Sequence, residues 1–404
     1  MANARSIPPA LVLFEDAQVP ALAPLSLLRP AHDIKVGVFT LREKLERHLG
    51  MRAVSVRVRD HVRASVGSDA TLPPPSGDIL LVNSRVISTP ALASAITALS
   101  TGETLFSGGV LVAARGDAQT LGNEGPAVIT AVTGTSTEAD ARLLTHPWDT
   151  VRYFREELDA DLDALMPSTR RRNVGRVGVA MLKRGAIHIG TNTRVYPNVV
   201  INGEAGPVVI GNDCTIMPFV YLEGPCYIGD GTIVKSHTTI AHSSIGPQCR
   251  VSGEISGTTM HGYVNKQHEG FIGDSYIAPW VNLGAGTITS NLKNTYGTVR
   301  VIRGGVQVDT GMQFLGTIAG DHTKFGINTM LNTGTITGVG CNVYGAGFPD
   351  KEIPSFRWGA SGTAAFDKFL AVARMVMARR NVELTAADAA LLEAVYRTET
   401  AQPR

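Results

Sequence analysis

The residues best suited to chemistry lie in one stretch, Asn265-Lys-Gln-His268-Glu-Gly-Phe271, which is followed by Asn282-Leu-Gly-Ala-Gly-Thr-Ile-Thr-Ser-Asn291. A histidine has a pKa near neutrality, so it can accept a proton from an ammonium group before the amine attacks a thioester. His268 is therefore a candidate general base, although a lone histidine is often structural. Because amides both donate and accept hydrogen bonds, Asn282 and Asn291 are candidate sugar ligands or, alternatively, plain corner residues.

An aliphatic residue recurs every six positions ahead of this stretch, which is neither a helical nor a simple strand period. Such a chain turns a corner in each unit of six, so three units make one triangular coil and successive coils stack. The aliphatic positions are Ile189, Val195, Ile201, Ile210, Ile216, Leu222, Ile228, Val234 and Ile240. The spacing predicts a prism of stacked coils over residues 186–350, with a break near 256–271.

The size and composition of the chain bound its class. Its 404 residues are enough for two or three domains, and its net charge of +2 indicates no bulk attraction to nucleic acid or membrane. Cys214, Cys226 and Cys249 fall on small inward positions of the repeat, and no CxxC pair indicates zinc or a disulfide framework. No signal peptide or apolar stretch of about 20 residues is evident, so we expect a cytoplasmic protein without membrane insertion.

Composition divides the chain into four parts. Residues 1–165 read as an α/β domain with strands at 11–14, 79–82, 110–113 and 127–132, helices at 40–49 and 149–165, and a mostly parallel sheet. A basic linker follows at 166–185, with Arg170, Arg171, Arg172 and Arg176 either solvated or facing a phosphate. After the prism, residues 351–404 predict a helical extension with helices at 364–380 and from 385 onward.

The stretch from His268 to Asn291 resembles the acetyltransferase half of the bifunctional bacterial enzyme that makes UDP-N-acetylglucosamine, a member of the hexapeptide transferases. Together with Arg29-Pro-Ala-His-Asp-Ile-Lys35-Val-Gly and Ile353-Pro-Ser-Phe-Arg-Trp-Gly359, it makes nearly the whole chain similar to a divergent group of that family labelled sugar nucleotidyltransferases. The resemblance implies a nucleotidyltransferase-like α/β domain, a left-handed parallel β-helix and C-terminal helices. It also implies a homotrimer with active sites between neighbouring prisms.

The resemblance implies acetyl transfer from acetyl-CoA to the amine of an amino-sugar 1-phosphate, with glucosamine 1-phosphate as the first expectation. The residues that it assigns are His268 as base, Phe271, Asn282 and Asn291 against the sugar, Lys266 on the sugar phosphate, and Thr310 on acetyl-CoA or, alternatively, simply facing solvent. His322, which falls in a coil after the matching stretch, is a rival candidate for the base. Phe271 stands where the family usually has tyrosine. No arginine occurs between Tyr196 and Gln248, where relatives carry a phosphate-binding arginine, so phosphate recognition differs or relies on Lys235.

The front domain departs further from its family pattern. Relatives transfer a uridylyl group from UTP with a glycine-rich loop after the first strand, but no glycine occurs between Leu11 and Val36. By order along the chain, Arg29 and Lys35 are candidates for the loop arginine and the following lysine. Arg85 is a candidate phosphate ligand after Asn83, which replaces a magnesium-binding aspartate and suits a hard cation poorly. The metal site is therefore unknown, with Mg²⁺ needed only if this domain is active.

Three hypotheses follow. The first is an acetyltransferase fused to a nucleotidyltransferase-like domain of uncertain competence. The second is a sugar-1-phosphate nucleotidyltransferase whose prism serves as a trimerisation platform. The third is a non-catalytic scaffold that binds nucleotide sugars.

Overall fold

The computed structural model describes residues 9–66, 76–119, 121, 135–166 and 177–401, which form two compact units. The first unit comprises Met1–Ile34 and Phe39–His146, and the second comprises Lys35–Val38 and Pro147–Arg404. The second unit thus begins ahead of the predicted boundary at 165, because the helix that precedes this boundary packs on strands of the prism. The strand predicted at 127–132 and the arginines predicted at 170–176 lie outside the described residues.

A mixed sheet forms the core of the first unit. Its strand order is Ala53–Arg57, Ala10–Phe14, Asp78–Asn83, Val110–Asp117, Thr104–Ser107 and Ser136–Glu138. The first three strands are parallel, whereas Val110–Asp117 runs antiparallel to both neighbours because it closes a hairpin with Thr104–Ser107. The sheet is accordingly less parallel than the sequence predicted.

Short helices and a strand pair complete the first unit. The helices are α1 (Leu41–Leu49), α2 (Asp60–Arg63) and α3 (Pro90–Thr97), with 3-10 turns at Val19–Leu22, Ala31–Asp33 and Ala64–Val66 and a two-stranded pair of Val86–Ile87 with Arg142–Leu143. Helix α1 begins at a capping box in which Thr40 and Glu43 bond each other's backbone N–H groups.

The second unit opens with helices α4 (Asp149–Arg152) and α5 (Phe154–Leu165), which divide the single helix predicted at 149–165. A parallel β-solenoid follows, and its coils stack into a three-faced prism as the six-residue period predicts. The aliphatic positions of the repeat fill the interior, together with the buried thiols of Cys214, Cys226 and Cys249. Burial raises the pKa of both Cys226 and Cys249 to about 12, so these thiols stay neutral.

The coils contribute one short strand to each face, except that face 3 has no strand between Asn342–Val343 and Glu352–Ile353. Face 1 contains Ile187–Ile189, Val208–Ile210, residues 226–228 and 243–245, Thr259–Met260, Tyr276–Ile277, Thr317–Ala319, Thr335–Thr337 and Glu352–Ile353. Face 2 contains Arg194–Val195, Thr215–Ile216, Ile233–Val234, Arg250–Val251, Asn265–Lys266, Asn282–Leu283, Lys324–Phe325, Asn342–Val343 and Arg357–Trp358, which turns back through Gly362–Thr363. Face 3 contains Ala180–Leu182, Val200–Asn202, residues 221–223 and 239–241, Glu254–Ser256, Phe271–Gly273, Ile288–Thr289 and Met330–Leu331.

Two additions interrupt or follow the coils. An antiparallel hairpin, Arg300–Arg303 with Val306–Asp309, is inserted after Ile288–Thr289. After the prism, helices α6 (Phe366–Ala378) and α7 (Ala386–Ala401) confirm the predicted extension, and Thr385 and Asp388 cap α7 reciprocally. No helix in the described ranges has the length and apolar character to cross a membrane.

Candidate functional site

His268 lies at a corner of the prism between face 2 and face 3. Strand Asn265–Lys266 ends face 2, strand Phe271–Gly273 begins face 3, and residues 267–270 form the corner between them, which we call the His268 corner. Gly270 has a φ of +131°, a conformation that side-chain-bearing residues rarely adopt. The His268 side chain is exposed, and no hydrogen bond to its imidazole occurs within the described part of the chain. The side chain is therefore accessible from solvent.

Lys266 lies inside the prism, not on the surface where the phosphate role was predicted. It pairs in register with Val251, so it occupies the inward aliphatic position of its coil, and it is only 1% exposed. Its ammonium donates hydrogen bonds to the carbonyl oxygens of Ser252 at 2.9 Å and His268 at 3.0 Å. The prediction that Lys266 contacts a sugar phosphate is wrong for this structure, because the charged end points into the coil interior.

A shortened coil makes room for this lysine. Four residues separate the face 2 and face 3 strands in the coils at 233–241 and 265–273, whereas only Ser252 and Gly253 separate Arg250–Val251 from Glu254–Ser256. A Cβ on Gly253 would lie 2.9 Å from the Lys266 ammonium. The ammonium thus fills the space next to the shortened corner and ties the backbone of His268 to it.

Face 2 carries a line of polar side chains that passes beside the His268 corner. Arg250, Asn265, Asn282, Lys324 and Asn342 are successive in-register partners on this face, and we call them the face 2 ladder. Asn265 Nδ2 donates to Asn282 Oδ1 at 2.6 Å. The neighbouring amides fix each other's orientation and present both donors and acceptors outward.

Two further side chains converge on Asn265. Gln267 Nε2 donates to Asn265 Oδ1 at 2.8 Å, and Arg380, which follows helix α6, donates from Nη2 to the same oxygen at 3.3 Å. Asn265, Gln267, Arg250 and Arg380 are not among the site residues that the sequence predicts. Only the register of the coils and the return of α6 place these residues together.

The ladder leads at its other end to a cavity of about 690 Å³ between the prism and helix α6. Its lining includes Lys324, Asn342, His322, Trp358 and Phe369. Burial lowers the pKa of Lys324 to about 8, and its ammonium donates to the His322 carbonyl oxygen at 3.0 Å. The His322 ring stacks on Trp280 and contacts Phe369 edge-on, so this rival base lies in an aromatic stack at the corner between faces 1 and 2, away from the His268 corner.

Phe271 and Asn291 lie on the other side of the His268 corner, toward face 3. A Cβ built on Gly273 would meet both the Phe271 ring and the Asn291 amide, so these two side chains lie over the same glycine. Asn291 Nδ2 donates to Asp274 Oδ2 at 2.7 Å, and Asp274 also bonds Arg155 at 3.4 Å. The structure therefore places Asn282 on face 2 and the Phe271–Asn291 pair on face 3, with His268 between them.

The Thr310 hydroxyl is occupied within its own loop. Thr310 is buried, and its Oγ1 donates to the carbonyl oxygen of Val299 at 2.7 Å. Thr310 Oγ1 also accepts a hydrogen bond from the N–H of Met312. The predicted contact with acetyl-CoA does not fit this arrangement, because the hydroxyl already serves the base of the hairpin.

Ion pairs lie at the strand ends of the first unit, where the family that the sequence resembles binds phosphates. Asp16 follows strand Ala10–Phe14 and accepts two hydrogen bonds from the Arg85 guanidinium, at 2.8 and 2.5 Å, while Arg85 also donates to the Leu144 carbonyl oxygen. Burial raises the pKa of Asp16, but the hydrogen bonds from Arg85 and Asn83 outweigh this effect and the pKa falls below its usual value. Arg85 is buried and its predicted phosphate role is wrong for this structure, since its charge is already matched.

The remaining front residues are held in a similar way. Glu15 is fully buried and accepts hydrogen bonds from the side chain and N–H of Arg59 and from the N–H of Ala31. Arg29 is 9% exposed and donates to the Leu25 carbonyl oxygen at 3.1 Å, which opposes its predicted phosphate role. Lys35 belongs to the second unit, where its N–H donates to the Tyr276 hydroxyl.

These residues do not fit a magnesium ion. Asn83 Nδ2 donates to Asp16 Oδ2 and to the Leu111 carbonyl oxygen, and its Oδ1 accepts from the N–H of Arg85. A hard cation prefers free carboxylate oxygens, whereas here the carboxylate of Asp16 is paired with a guanidinium. The described residues also contain no group of three or more His, Cys, Asp or Glu side chains that could hold a metal.

Comparisons with known proteins agree with the two-part architecture. Residues 11–170 match a family described as sugar nucleotidyl transferase, and residues 207–242 match the bacterial transferase hexapeptide family. Similar proteins include the bifunctional protein GlmU of Synechococcus elongatus, 27% identical over 44% of this chain and 40% of the relative. GlmU of Geotalea uraniireducens is 28% identical over 37% of this chain and 35% of the relative.

Each of these two matches thus spans no more than 40% of the GlmU chain. Among solved structures, the polySia specific acetyltransferase NeuO matches 48% of this chain and 82% of its own, with 12% identity and a TM-score of 0.17. At that TM-score the likeness supports no argument about this chain. Both matching families are described as transferases, which confirms the predicted combination of a nucleotidyltransferase-like domain with hexapeptide repeats.

Proposed function

We propose that this chain, which joins a sugar nucleotidyltransferase domain to hexapeptide repeats, acts in sugar-nucleotide biosynthesis and acetylates the amine of an amino-sugar 1-phosphate from acetyl-CoA. The observation that carries the proposal is the exposed side chain of His268 at the corner that follows strand Asn265–Lys266 of face 2. Glucosamine 1-phosphate is the acceptor that we test first.

The proposed reaction needs one base and a polar surface. The His268 imidazole accepts a proton from the sugar ammonium, and the amine nitrogen then attacks the thioester carbon of acetyl-CoA. The carbon–sulfur bond breaks, the imidazolium gives its proton to the leaving thiolate, and the nitrogen releases a second proton to solvent as the amide forms. Asn282 and Asn265 offer donors and acceptors to the sugar, and Phe271 offers an apolar wall.

The position of His268 supports a homotrimeric enzyme. His268 is exposed at the corner between face 2, which contains Asn282, and face 3, which contains Phe271, so one prism does not enclose its side chain. Excluding water from the reacting amine requires a second surface. We propose that a neighbouring prism of the same chain supplies this wall, as the similarity to hexapeptide transferases implies.

His268→Ala tests the proposal. Loss of a general base lowers the rate by about 10²- to 10⁴-fold, so we expect a fall of this size in acetylation of glucosamine 1-phosphate, measured by release of free coenzyme A. His237→Ala is the matched control, because His237 is also exposed at the corner between faces 2 and 3, in an earlier coil. Equal activities of the His268→Ala variant and the wild type, with unchanged oligomeric state, would reject the assignment.

Nucleotidyl transfer is the second candidate function, since residues 11–170 match the sugar nucleotidyl transferase family. It would use UTP, a sugar 1-phosphate and Mg²⁺, with the prism as a trimerisation platform. The pairing of Asp16 with Arg85 opposes it.

A further inference from the structure

Two arginines approach Asn265, one on the neighbouring strand of face 2 and the other at the end of helix α6. Arg250 opens strand Arg250–Val251 and is the in-register neighbour of Asn265, while Arg380 reaches Asn265 Oδ1 from the end of α6. Because the backbones of adjacent strands are about 4.8 Å apart, Arg380, bound to Asn265, lies next to the strand that carries Arg250.

Both arginines keep donors available for a ligand. Arg250 uses Nη1 to bond the carbonyl oxygens of Gly231 and Cys249, each at 2.9 Å, and Arg380 uses Nη2 on Asn265. Within the described ranges neither residue forms a salt bridge with a carboxylate. A guanidinium has five N–H groups in a planar fork, so the remaining donors can form the paired hydrogen bonds that a phosphate accepts.

The local charge favours an anion. Burial lowers the pKa of Arg250, and repulsion from the positive charge of Arg380 lowers it further. Burial raises the pKa of the Cys249 thiol to about 12, although the positive charges of Lys35, Arg250 and Arg380 oppose this rise. The thiol therefore supplies no negative charge. Like charges brought together in a partly desolvated place are stabilised when a counter-charge binds between them.

We propose that Arg250 and Arg380 form the phosphate-binding site of the acetyltransferase centre. The proposal rests on the proposed function. Arg250 belongs to the same strand ladder as Asn282, and Asn265, which Arg380 contacts, lies three residues before His268. In this proposal the two arginines stand in for the phosphate-binding arginine that the sequence lacks between Tyr196 and Gln248. They also take the phosphate contact that the resemblance assigns to Lys266. Lys235 lies at the corner used by His268 but two coils earlier, roughly 10 Å along the prism axis.

The phosphate has two possible sources, and binding measurements separate them. The first pair of ligands is glucosamine 1-phosphate against glucosamine, and the second is coenzyme A against pantetheine, which lacks its phosphates. We expect Arg250→Gln and Arg380→Gln each to lower the affinity for one phosphorylated ligand by about tenfold to 100-fold in calorimetric titration. The affinity for its unphosphorylated counterpart should be unchanged. Loss confined to the first pair assigns the site to the acceptor, and loss confined to the second assigns it to the donor.

Matched variants keep the test decisive. Arg379→Gln removes the adjacent exposed charge and should leave both affinities within twofold of the wild type. Asn265→Ala removes the bond that holds Arg380 but keeps its charge, so it separates helix docking from phosphate binding; thermal unfolding and circular dichroism confirm that each variant folds. Unchanged affinity for both phosphorylated ligands in Arg250→Gln and Arg380→Gln overturns the site. Because binding is measured without turnover, His268→Ala protein should give the same result even if acetyl transfer proves wrong.

Discussion

Lys266 illustrates how the position of a residue in a repeat determines the use of its side chain. It stands where other coils carry Val234, Val251 and Leu283, so its four-carbon stem is in the interior and its ammonium must find acceptors there. It finds the carbonyl oxygens of Ser252 and His268. Burial lowers the pKa of Lys266 to about 8, because the charged form is poorly solvated inside the prism.

Lys266→Met should change how stability depends on pH. The folded pKa of about 8 lies below the ordinary value of 10.5, so between these pH values the unfolded chain binds more protons and the wild-type free energy of unfolding rises with pH. A difference of this size corresponds to about 3 kcal/mol, and the methionine variant should lack that part of the rise. Urea unfolding at pH values from 7.5 to 10.5 measures it, and identical pH slopes in both proteins would contradict the buried-ammonium assignment.

The sequence could not assign Lys266 to the interior. The hexad count is lost near the shortened corner at Ser252-Gly253, and without the count a lysine two residues before a candidate base looks like a surface charge. The chemistry of His268 was easier to predict, because it depends on residue type and an ordered motif. Its exposure and its place between faces 2 and 3 agree with a role as base, which stays a prediction.

At the scale of elements, one corner of the prism receives helix α6. Tyr263, Trp280 and His322 occupy this corner in successive coils and stack on one another, at 4.3 Å between the first two rings and 6.2 Å between the last two. The next coil has Gly340, with φ +67°, and Phe369 of α6 packs against the position that a side chain would fill. The missing side chain therefore provides the docking place for the helix.

Gly340→Ala should loosen α6. A Cβ at this position would lie 2.8 Å from a Phe369 ring carbon and 2.9 Å from one of Phe356, and both belong to packed rings. We expect a loss of about 1–3 kcal/mol from overpacking, beyond the strain of alanine at positive φ.

Gly347→Ala isolates the packing effect. Gly347 has a similar φ of +79° with nothing within 4 Å of its Cβ position, so it carries the backbone strain alone. Denaturant unfolding together with proteolysis of the C-terminal helices compares the two variants. Equal stabilities and equal cleavage rates would contradict the docking role of Gly340.

Sequence periodicity predicts the helices and strands better than it predicts the contacts between them. The coils and the C-terminal helices follow from local patterns, and the structure confirms them. The contact between Arg380 and Asn265 joins residues 115 positions apart, so no local pattern indicates it. The mixed sheet of the first unit was missed for a similar reason, because the hairpin at 104–117 reverses a strand that composition alone leaves undirected.

At the scale of the whole molecule, the chain combines two transferase-type units whose site chemistry differs. In the first unit, Asp16 is paired with Arg85 and Glu15 with Arg59. The carboxylates are therefore not free to hold Mg²⁺, and the guanidinium groups are not free to bind phosphates. In the second unit, His268 is exposed, and Arg250 and Arg380 have no paired acid in the described residues. This contrast predicts that one activity survives, and that it belongs to the prism.

Two assays on two proteins test this prediction. We expect the wild-type chain to acetylate glucosamine 1-phosphate but, with UTP, Mg²⁺ and a panel of sugar 1-phosphates, to release pyrophosphate no faster than buffer alone. A known sugar-1-phosphate uridylyltransferase serves as the positive control for the second assay. His268→Ala should remove the first activity and leave the second at background, because the base of the prism has no part in nucleotidyl transfer. The opposite pattern, with pyrophosphate release in both proteins and acetylation in neither, would establish nucleotidyl transfer as the function.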